Sequence, residues 1–541
     1  MISPVPASMC ENPASRFASL LLAGLRMAGL RRIVVCPGSR SQAVALAADA
    51  FAEEGLLELS VRADERSAGF LALGMVRASG FPVAVVTTSG SAIGHLVPAV
   101  MEAAHEGLPL VLLTCDRPEE LLGIGANQAT AQDQVFGVFA ECRTLQPDES
   151  RAGAQADARA AVEAARALSG RRRPLQLNIR FRDPLSGVAP TPVAAVERIA
   201  TYARERGIRF PEVPQAEASA VQIPAVSGVL AIAGDRAPDD TAQLCADAGI
   251  PLCAEIVSGQ RRGPAAVPSP EAVLRGPLAE EVREVVVFGR PTLNRTVPAF
   301  LRRPGLRITV VEIPGAREPF RPAPSATLVS GVRFGGRADP DWLARWMRAG
   351  QASAGSGSEL DSSESRGLVE AVWRATGSED SIVFAASSLV RVADRVLSPA
   401  PHRVFANRGL AGIDGTLSTA IGIAAARPAG VVRVVVGDLA FLHDAGGLWL
   451  PAAEHLPRVQ VVVGDDRGGA IFNRLEVAQT AAPGPFSRVM RVPHGADLTA
   501  IAAGYGWPAR DLSVAELRGA LAAGTPGVWV IRLPEGPAPR P

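Results

Sequence analysis

The chain of 541 residues contains no lysine, so all 55 of its basic residues are arginine. That absence removes Schiff-base chemistry, pyridoxal phosphate anchoring and the lysine of a Walker-type phosphate loop. Net charge is +1, which gives no electrostatic argument for nucleic acid or a membrane surface as partner. The six cysteines (Cys10, Cys36, Cys115, Cys142, Cys245, Cys253) form no CxxC pair and read as reduced thiols of a cytoplasmic protein. Six histidines occur without HExxH or HxH spacing, which argues against a zinc site. Apolar runs are broken by Gly, Pro and polar residues well short of a membrane span. The N-terminal stretch lacks the basic start and apolar core of a signal peptide. No GxGxxG fingerprint is found, which disfavours a nicotinamide dehydrogenase. The expectation is a soluble cytoplasmic enzyme.

What the chain does have is a rhythm. Short β-branched runs ("RRIVVC", "PVAVVTT", "LPLVLLTC", "GVLAIAG", "REVVVFG", "VVRVVVG", "RVQVVVG") are each followed by a Gly-, Pro- or Asp-bearing loop and an alanine-rich helical segment. Continuous apolar strands alternating with helices predict parallel sheets covered on both faces. A Pro-rich passage at 184–192 and the Gly/Ser-rich stretch "GQASAGSGSELDSSES" at 350–365 are read as boundaries. They predict three doubly wound α/β domains at 1–185, 190–348 and 366–541. In such sheets ligands bind where the strands' carboxyl ends meet the loops.

Those loops carry charge and glycine. Asp438 follows one apolar run, and Asp465 and Asp466 follow the next, just before Gly468 and Gly469. Carboxylates at neighbouring strand ends suit a hard cation bridged to phosphate oxygens, although an Asp in that position also caps helices. "FANRGLAGIDGTLSTAIGIAAA" places Gly409, Gly412, Gly415 and Gly422 around an apolar Ile413. Arg40, Arg117, Arg290, Arg295, Arg391 and Arg408 stand in loops after strands. Guanidinium forks recurring at ligand-facing loops suit a small substrate with more than one carboxylate. Glu65 follows Asp64 at the mouth of an otherwise apolar helix; on residue type alone this acidic pair is a cap favoured by the helix macrodipole, by about 0.3–1 kcal/mol.

The ordered set "CPGSRS", "DERSAGFLALG", "TTSGSA", "LTCDRPEEL", "GANQ", "PLQLNIRFRDPL", "SSLVR", "NRGLAGIDGTLSTAIG", "GDLAFLHD" and "GGAIF" resembles thiamine-diphosphate-dependent enzymes. Within them it resembles the menaquinone-pathway 2-succinyl-5-enolpyruvyl-6-hydroxy-3-cyclohexene-1-carboxylate synthases. The resemblance implies thiamine diphosphate with Mg2+, or Mn2+ in its place, and 2-oxoglutarate and isochorismate as substrates. It implies a homodimer or homotetramer whose active sites are shared between a pyrimidine-binding domain (1–185) of one chain and a diphosphate-binding domain (366–541) of another, with 190–348 as the central domain. No nucleic acid and no membrane insertion are implied.

Carried over by position, Glu65 is the catalytic acid that bonds the cofactor's aminopyrimidine, and Ile413 is the apolar wedge beneath the cofactor. Ser387, Gly437, Asp438, Leu439 and Gly468 complete the cofactor cradle. The metal ligands implied are Asp438, the Gly468 carbonyl and one aspartate of the "GDDRGG" turn. Counting forward from Asp438 favours Asp465, counting back from the glycine pair favours Asp466, and Asp466 is chosen. Arg40, Arg117, Asn127, Gln128, Arg295, Ser387, Arg391, Arg408, Ile471, Phe472 and Leu475 fall at substrate-pocket positions. A dry site would raise the Glu65 pKa and let the carboxyl share its proton with the ring nitrogen. Ala440, Asn294 and His95 depart from the family pattern. The competing readings are an acetolactate-synthase-like carboligase and a non-catalytic binding protein on the same fold.

Overall fold

The computed structural model describes residues 11–150, 153–210, 220–353 and 361–534. Two compact units divide near residue 216, and each is described by itself.

The first unit is built on one six-stranded sheet whose strands all run parallel: β1 (Arg32–Val35), β2 (Glu58–Val61), β3 (Val83–Thr87), β4 (Leu110–Asp116), β5 (Glu141–Leu145) and β6 (Leu175–Arg180). Their spatial order is β2-β1-β3-β4-β6-β5. β3 and β4 are buried at every position, as a strand covered on both faces must be. The covering helices show why the sequence starts and stops them where it does. Pro13–Met27 has Pro in its first turn behind Asn12, whose side chain accepts from Ser15 N at 2.9 Å. Glu65–Ser79 is capped by Asp64, which accepts from Arg66 N at 2.9 Å, and ends at Gly80 in the left-handed region (φ 73°), as helix termini favour. Helix Pro13–Met27 lies so close to Gly153–Leu168 that a Cβ on Gly24 would sit 2.7 Å from the Ala161 carbonyl oxygen.

The second unit holds two further parallel sheets. One is ordered β12-β11-β10-β8-β9, from β8 (Val229–Ala233), β9 (Leu252–Ala254), β10 (Glu284–Phe288), β11 (Arg307–Val311) and β12 (Thr327–Val329). A parallel pair, β7 (Val221–Pro224) with β13 (Val332–Gly335), stands beside it in sequence. The other is ordered β15-β14-β16-β17-β19-β18, from β14 (Ser381–Phe384), β15 (Arg403–Phe405), β16 (Val432–Gly437), β17 (Val459–Asp465), β18 (Ala509–Asp511) and β19 (Gly527–Arg532). The α/β class with all-parallel sheets is therefore as the apolar runs predicted.

Within the second unit the two large sheets are tied together by buried charge. Arg261 donates to the Ala254 carbonyl (2.9 and 2.7 Å), to the Asp394 carbonyl (2.6 Å) and to the Asp394 carboxylate. The same carboxylate accepts from Ile256 N at 2.7 Å. A buried pair whose remaining polar atoms are satisfied by backbone in this way fixes orientation more than it adds stability.

The expected Gly/Ser linker at 350–365 is shorter than its composition suggests. Helix Pro340–Ala352 runs into its start, and helix Ser363–Ala375, capped by Ser362, begins before its end. Positions 354–360 lie outside the described residues, as does Cys10. The five described cysteines are free thiols; burial pushes Cys36, Cys115, Cys245 and Cys253 up, and Cys142 up to about 11.

Candidate active site

In the first unit the predicted residues gather at the carboxyl ends of β1, β3 and β4. Arg40, in the loop after β1, is buried; its Nη1 donates to the Phe181 carbonyl (3.0 Å) and lies 3.5 Å from Asp183 Oδ2. Arg117, directly after β4, donates from Nε to the Asn127 carbonyl at 3.1 Å. Burial lowers the Arg117 pKa, and the nearby positive charge of Arg40 lowers it further. Gln128 takes up a left-handed backbone (φ 57°), and its Nε2 donates to the Ser89 carbonyl at 2.7 Å. A cavity of about 580 Å³ opens here, lined by Gly90, Ser91, Gly94, Asn127, Gln128 and Thr130 among others.

Beneath these loops lies a neutral network that sequence reasoning missed. Gln132 accepts from Gly90 N (2.9 Å) and donates to Asn178 Oδ1 (3.2 Å). Thr114 donates to the same oxygen (3.0 Å), and Gln176 donates to Thr114 Oγ1 (3.0 Å) and to the Gln132 carbonyl (2.9 Å). Asn178 Nδ2 in turn donates to Asp116 Oδ2 at 2.9 Å. Burial raises the Asp116 pKa, partly offset by the bond from Asn178. The only sequence signal is the alternation of polar residues inside the apolar run "LQLNIR", which places Gln176 and Asn178 on one face of β6.

Glu65 opens its helix as expected, but this chain does not by itself supply the dry enclosure foreseen for it: the residue is half-buried. Its charge is felt by Cys36, whose thiol is raised first by burial and then by Glu65 and Asp64. Arg62 is buried and donates to the Val61 carbonyl. His95 is exposed.

In the second unit Asp438 starts helix Asp438–His443 at the end of β16. Oδ1 of Asp438 accepts from Leu439 N (2.6 Å) and Oδ2 from Gly468 N (2.7 Å), with His494 Nε2 at 3.2 Å. Burial raises its pKa, against these bonds. The two candidate partners differ in what they already hold. Asp465 has a carboxylate oxygen within 4.8 Å of Asp438 and His494, but it is paired with Arg532 and accepts from Arg467 N (2.9 Å). Asp466 has its carboxyl pushed up to about 7 by burial and by the charge of Asp438, and its Oδ1 is buried with no hydrogen-bond partner.

The turn carrying these aspartates needs its glycine. Gly468 has φ 141°, and a Cβ there would lie 2.4 Å from the Arg491 carbonyl oxygen. No L side chain fits that conformation at that approach. His494 was not foreseen, because a single histidine in a loop gives no spacing to read.

Ser387 Oγ, in the loop after β14, and Asn407 Oδ1 are among the other buried polar atoms of this unit that lack a hydrogen-bond partner. Asn407 Nδ2 donates to Thr419 Oγ1 (3.0 Å) on helix Thr416–Ala426, whose Ser418 N and Oγ both bond the fully buried Asp444 (2.9 and 3.1 Å). Ile413 stands in the loop before that helix, 39% exposed. Buried acceptors and hydroxyls left unsatisfied are uncommon in a finished interior. Ser387 lies against the start of the Asp438 helix, its Cβ 3.9 Å from where a Cβ on Gly437 would stand.

A second cavity, of about 520 Å³, brings together Arg295, Arg391, Ile471, Phe472 and Leu475, with Arg395, Arg474, Thr292 and Leu293 also in its walls. Arg391 donates to the Ser387 carbonyl at 2.7 Å; burial lowers its pKa, followed by the charges of Arg408, Arg395 and Arg474. Arg408 is buried and donates to Thr292 O (3.0 Å) and Oγ1 (3.1 Å). Asn294 accepts from Thr296 N and Val297 N (3.1 and 3.0 Å), so this departure from the family pattern caps helix Thr296–Leu301.

Comparison with known proteins agrees with this geometry. Residues 15–136 match the family model "Thiamine pyrophosphate enzyme, N-terminal TPP binding domain", and residues 386–531 match "Thiamine pyrophosphate enzyme, C-terminal TPP binding domain". A 2-succinyl-5-enolpyruvyl-6-hydroxy-3-cyclohexene-1-carboxylate synthase of Leifsonia xyli is 41% identical, over 97% of this chain and 96% of its own. The synthases of Clavibacter michiganensis and Nocardia farcinica are 40% and 34% identical, over 97% and 96% of this chain and 96% of each of their own. The chain belongs to this synthase family. It is accordingly an enzyme of the thiamine diphosphate class, and the two matched segments contain Glu65 and Asp438 respectively. No helix among the described residues is long and apolar enough to cross a membrane.

Proposed function

We propose that the chain decarboxylates 2-oxoglutarate and adds the resulting four-carbon carbanion equivalent to isochorismate, giving 2-succinyl-5-enolpyruvyl-6-hydroxy-3-cyclohexene-1-carboxylate and CO2 in menaquinone biosynthesis. The observation that carries this beyond family membership is the arginine-rich cavity whose lining also includes Ile471, Phe472 and Leu475. Its guanidinium groups suit carboxylates, and its apolar wall suits the face of a carbocycle. In this reading residues 1–185 are the pyrimidine-binding domain, 190–348 the central domain and 366–541 the diphosphate-binding domain. The protein works in the cytoplasm as a dimer or tetramer with shared active sites.

Thiamine diphosphate, when bound, supplies a carbon nucleophile and an electron sink for decarboxylation. Asp438, Asp466 and the Gly468 carbonyl would hold its Mg2+, since Asp466 Oδ1 is a buried carboxylate oxygen still lacking a partner. Ser387, Gly437 and Leu439 would face the diphosphate, and Ile413 would support the cofactor from below. Glu65 would hold a proton against the aminopyrimidine. Arg40, Arg117, Asn127 and Gln128, with Arg295, Arg391 and Arg408, would orient the substrate carboxylates and neutralise their charge.

The test is isochorismate consumption with thiamine diphosphate, Mg2+ and 2-oxoglutarate present. Dependence on all three additions is expected, and turnover with pyruvate in place of 2-oxoglutarate would sink the reading. Glu65→Gln is expected to lower turnover by about 10²–10⁴-fold with the fold intact.

A further inference from the structure

Three elements of the second unit meet at one carboxylate outside the predicted site. Asp361 precedes the capping Ser362 of helix Ser363–Ala375, and its side chain is wholly screened from solvent. Its Oδ2 accepts from Arg395 Nε (2.8 Å), and its Oδ1 accepts from Arg395 Nη2 (2.6 Å) and from Arg474 Nη2 (3.0 Å). Burial alone would raise this carboxyl, yet Arg395 and then Arg474 hold it below the usual range. Arg395 lies one turn beyond Arg391 on helix Ser388–Val396. Arg474 ends the turn Ala470–Arg474, which carries Ile471 and Phe472 and leads into Leu475. Arg391, Ile471, Phe472 and Leu475 all line the 520 Å³ cavity, as do Arg395 and Arg474 themselves on its arginine side.

A bidentate carboxylate–guanidinium pair has a fixed geometry. One carboxylate shared between two guanidinium groups therefore locks the helix and the turn to each other. It also cancels one of the two charges it joins. Arg391, by contrast, makes no ion pair among the described residues; it bonds only the Ser387 carbonyl.

We propose that Asp361 is a positioning residue: it clamps Arg395 and Arg474 so that the 470–475 turn forms the apolar wall of the pocket and Arg391, next to them on the same helix as Arg395, is left open to an incoming carboxylate. This rests on the function proposed above and assigns the clamped wall to the cyclic dicarboxylate acceptor, whose ring needs an apolar face, and not to the linear 2-oxoacid.

The test is steady-state kinetics of Asp361→Asn and Arg474→Gln in the full-length holoenzyme, with circular dichroism and thermal melting as checks of folding. Asp361→Asn should raise KM for isochorismate about 10-fold, with kcat and KM for 2-oxoglutarate changed less than 2-fold. Arg474→Gln, which leaves Arg395 paired, should shift the same constant by a smaller factor and keeps the idea testable should the first variant not fold. A fall in KM for isochorismate, as expected if the clamp merely subtracts positive charge, would overturn the proposal, as would equal effects on both substrates or a loss confined to kcat. Wild-type protein that fails to consume isochorismate would instead overturn the underlying functional reading.

Discussion

The two halves of the predicted site are supported in opposite ways. In the first unit the loops bearing Arg117, Asn127 and Gln128 rest on amides and a hydroxyl, with Gln132, Gln176, Asn178 and Thr114 bonded to one another at 2.9–3.2 Å. In the second unit the supports include buried ion pairs, Arg261 with Asp394 and Asp361 with Arg395 and Arg474, and a buried titratable carboxyl, Glu255, between the amides of Thr292 and Leu293. A neutral network, even with Gln176 Oε1 left without a partner as here, costs less to bury than ions do and has no charge of its own to titrate. A buried ionic one is held by its partners and is exposed to whatever removes them.

The largest test of that contrast is Arg391→Met, which leaves the ionic supports standing but removes a cavity guanidinium that has no carboxylate partner. A hydrogen bond between a guanidinium and a substrate carboxylate contributes about 1.5–3 kcal/mol, so kcat/KM should fall by about 10–150-fold with the melting temperature unchanged. Loss of stability instead of activity would show that Arg391 belongs to the supports. On the neutral side, Asn178→Ala strips acceptors from Thr114 and Gln132 and a donor from Asp116. Stability should fall by about 2–3 kcal/mol, read by urea unfolding, with the same loss at pH 6 and pH 8. A loss that grew with pH would mean that Asp116, and not the amides, governs the network.

The sequence showed this contrast unevenly. Parallel sheets followed from apolar runs long enough to be buried on both faces, and the strand-end rule placed Arg40, Arg117, Asp438 and Asp466 in loops that the fold brings to the strands' carboxyl ends. The choice between Asp465 and Asp466 was not legible, because adjacent residues point to opposite sides; the fold pairs Asp465 with Arg532 and also brings it within 4.8 Å of Asp438 and His494, so Asp466 stands as a proposal. Asp361 was hidden for a different reason. It looks like one more polar residue of a Ser-rich stretch, and its partners lie 34 and 113 positions away. His494 and Asp444 were missed on the same ground, since pairing between residues far apart in the chain leaves no local pattern. The small apolar residues that follow Glu65 bury the helix and not its first residue.

The smallest effect concerns Glu255, and it separates the two kinds of support by pH alone. The residue is 3% exposed and its two oxygens accept from Leu293 N (2.7 Å) and Thr292 N (3.1 Å). Burial first, then the charge of Asp394, raises its carboxyl to about 8 against these bonds and the charge of Arg408. A carboxyl raised in the folded state keeps its proton where the unfolded chain has lost it. Its contribution is therefore fully present below the unfolded pKa of about 4.3, declines as pH rises, and is gone above about 8. Between pH 6 and pH 8 the decline is at most about 1.4 kcal/mol per pH unit. Urea midpoints of the wild type should fall over that interval, and Glu255→Gln, which cannot titrate, should show a flatter dependence. Other titrating groups cancel in the difference between the two proteins, so parallel slopes would mean that Glu255 is charged throughout and that the ionic half is no more sensitive to pH than the amide half.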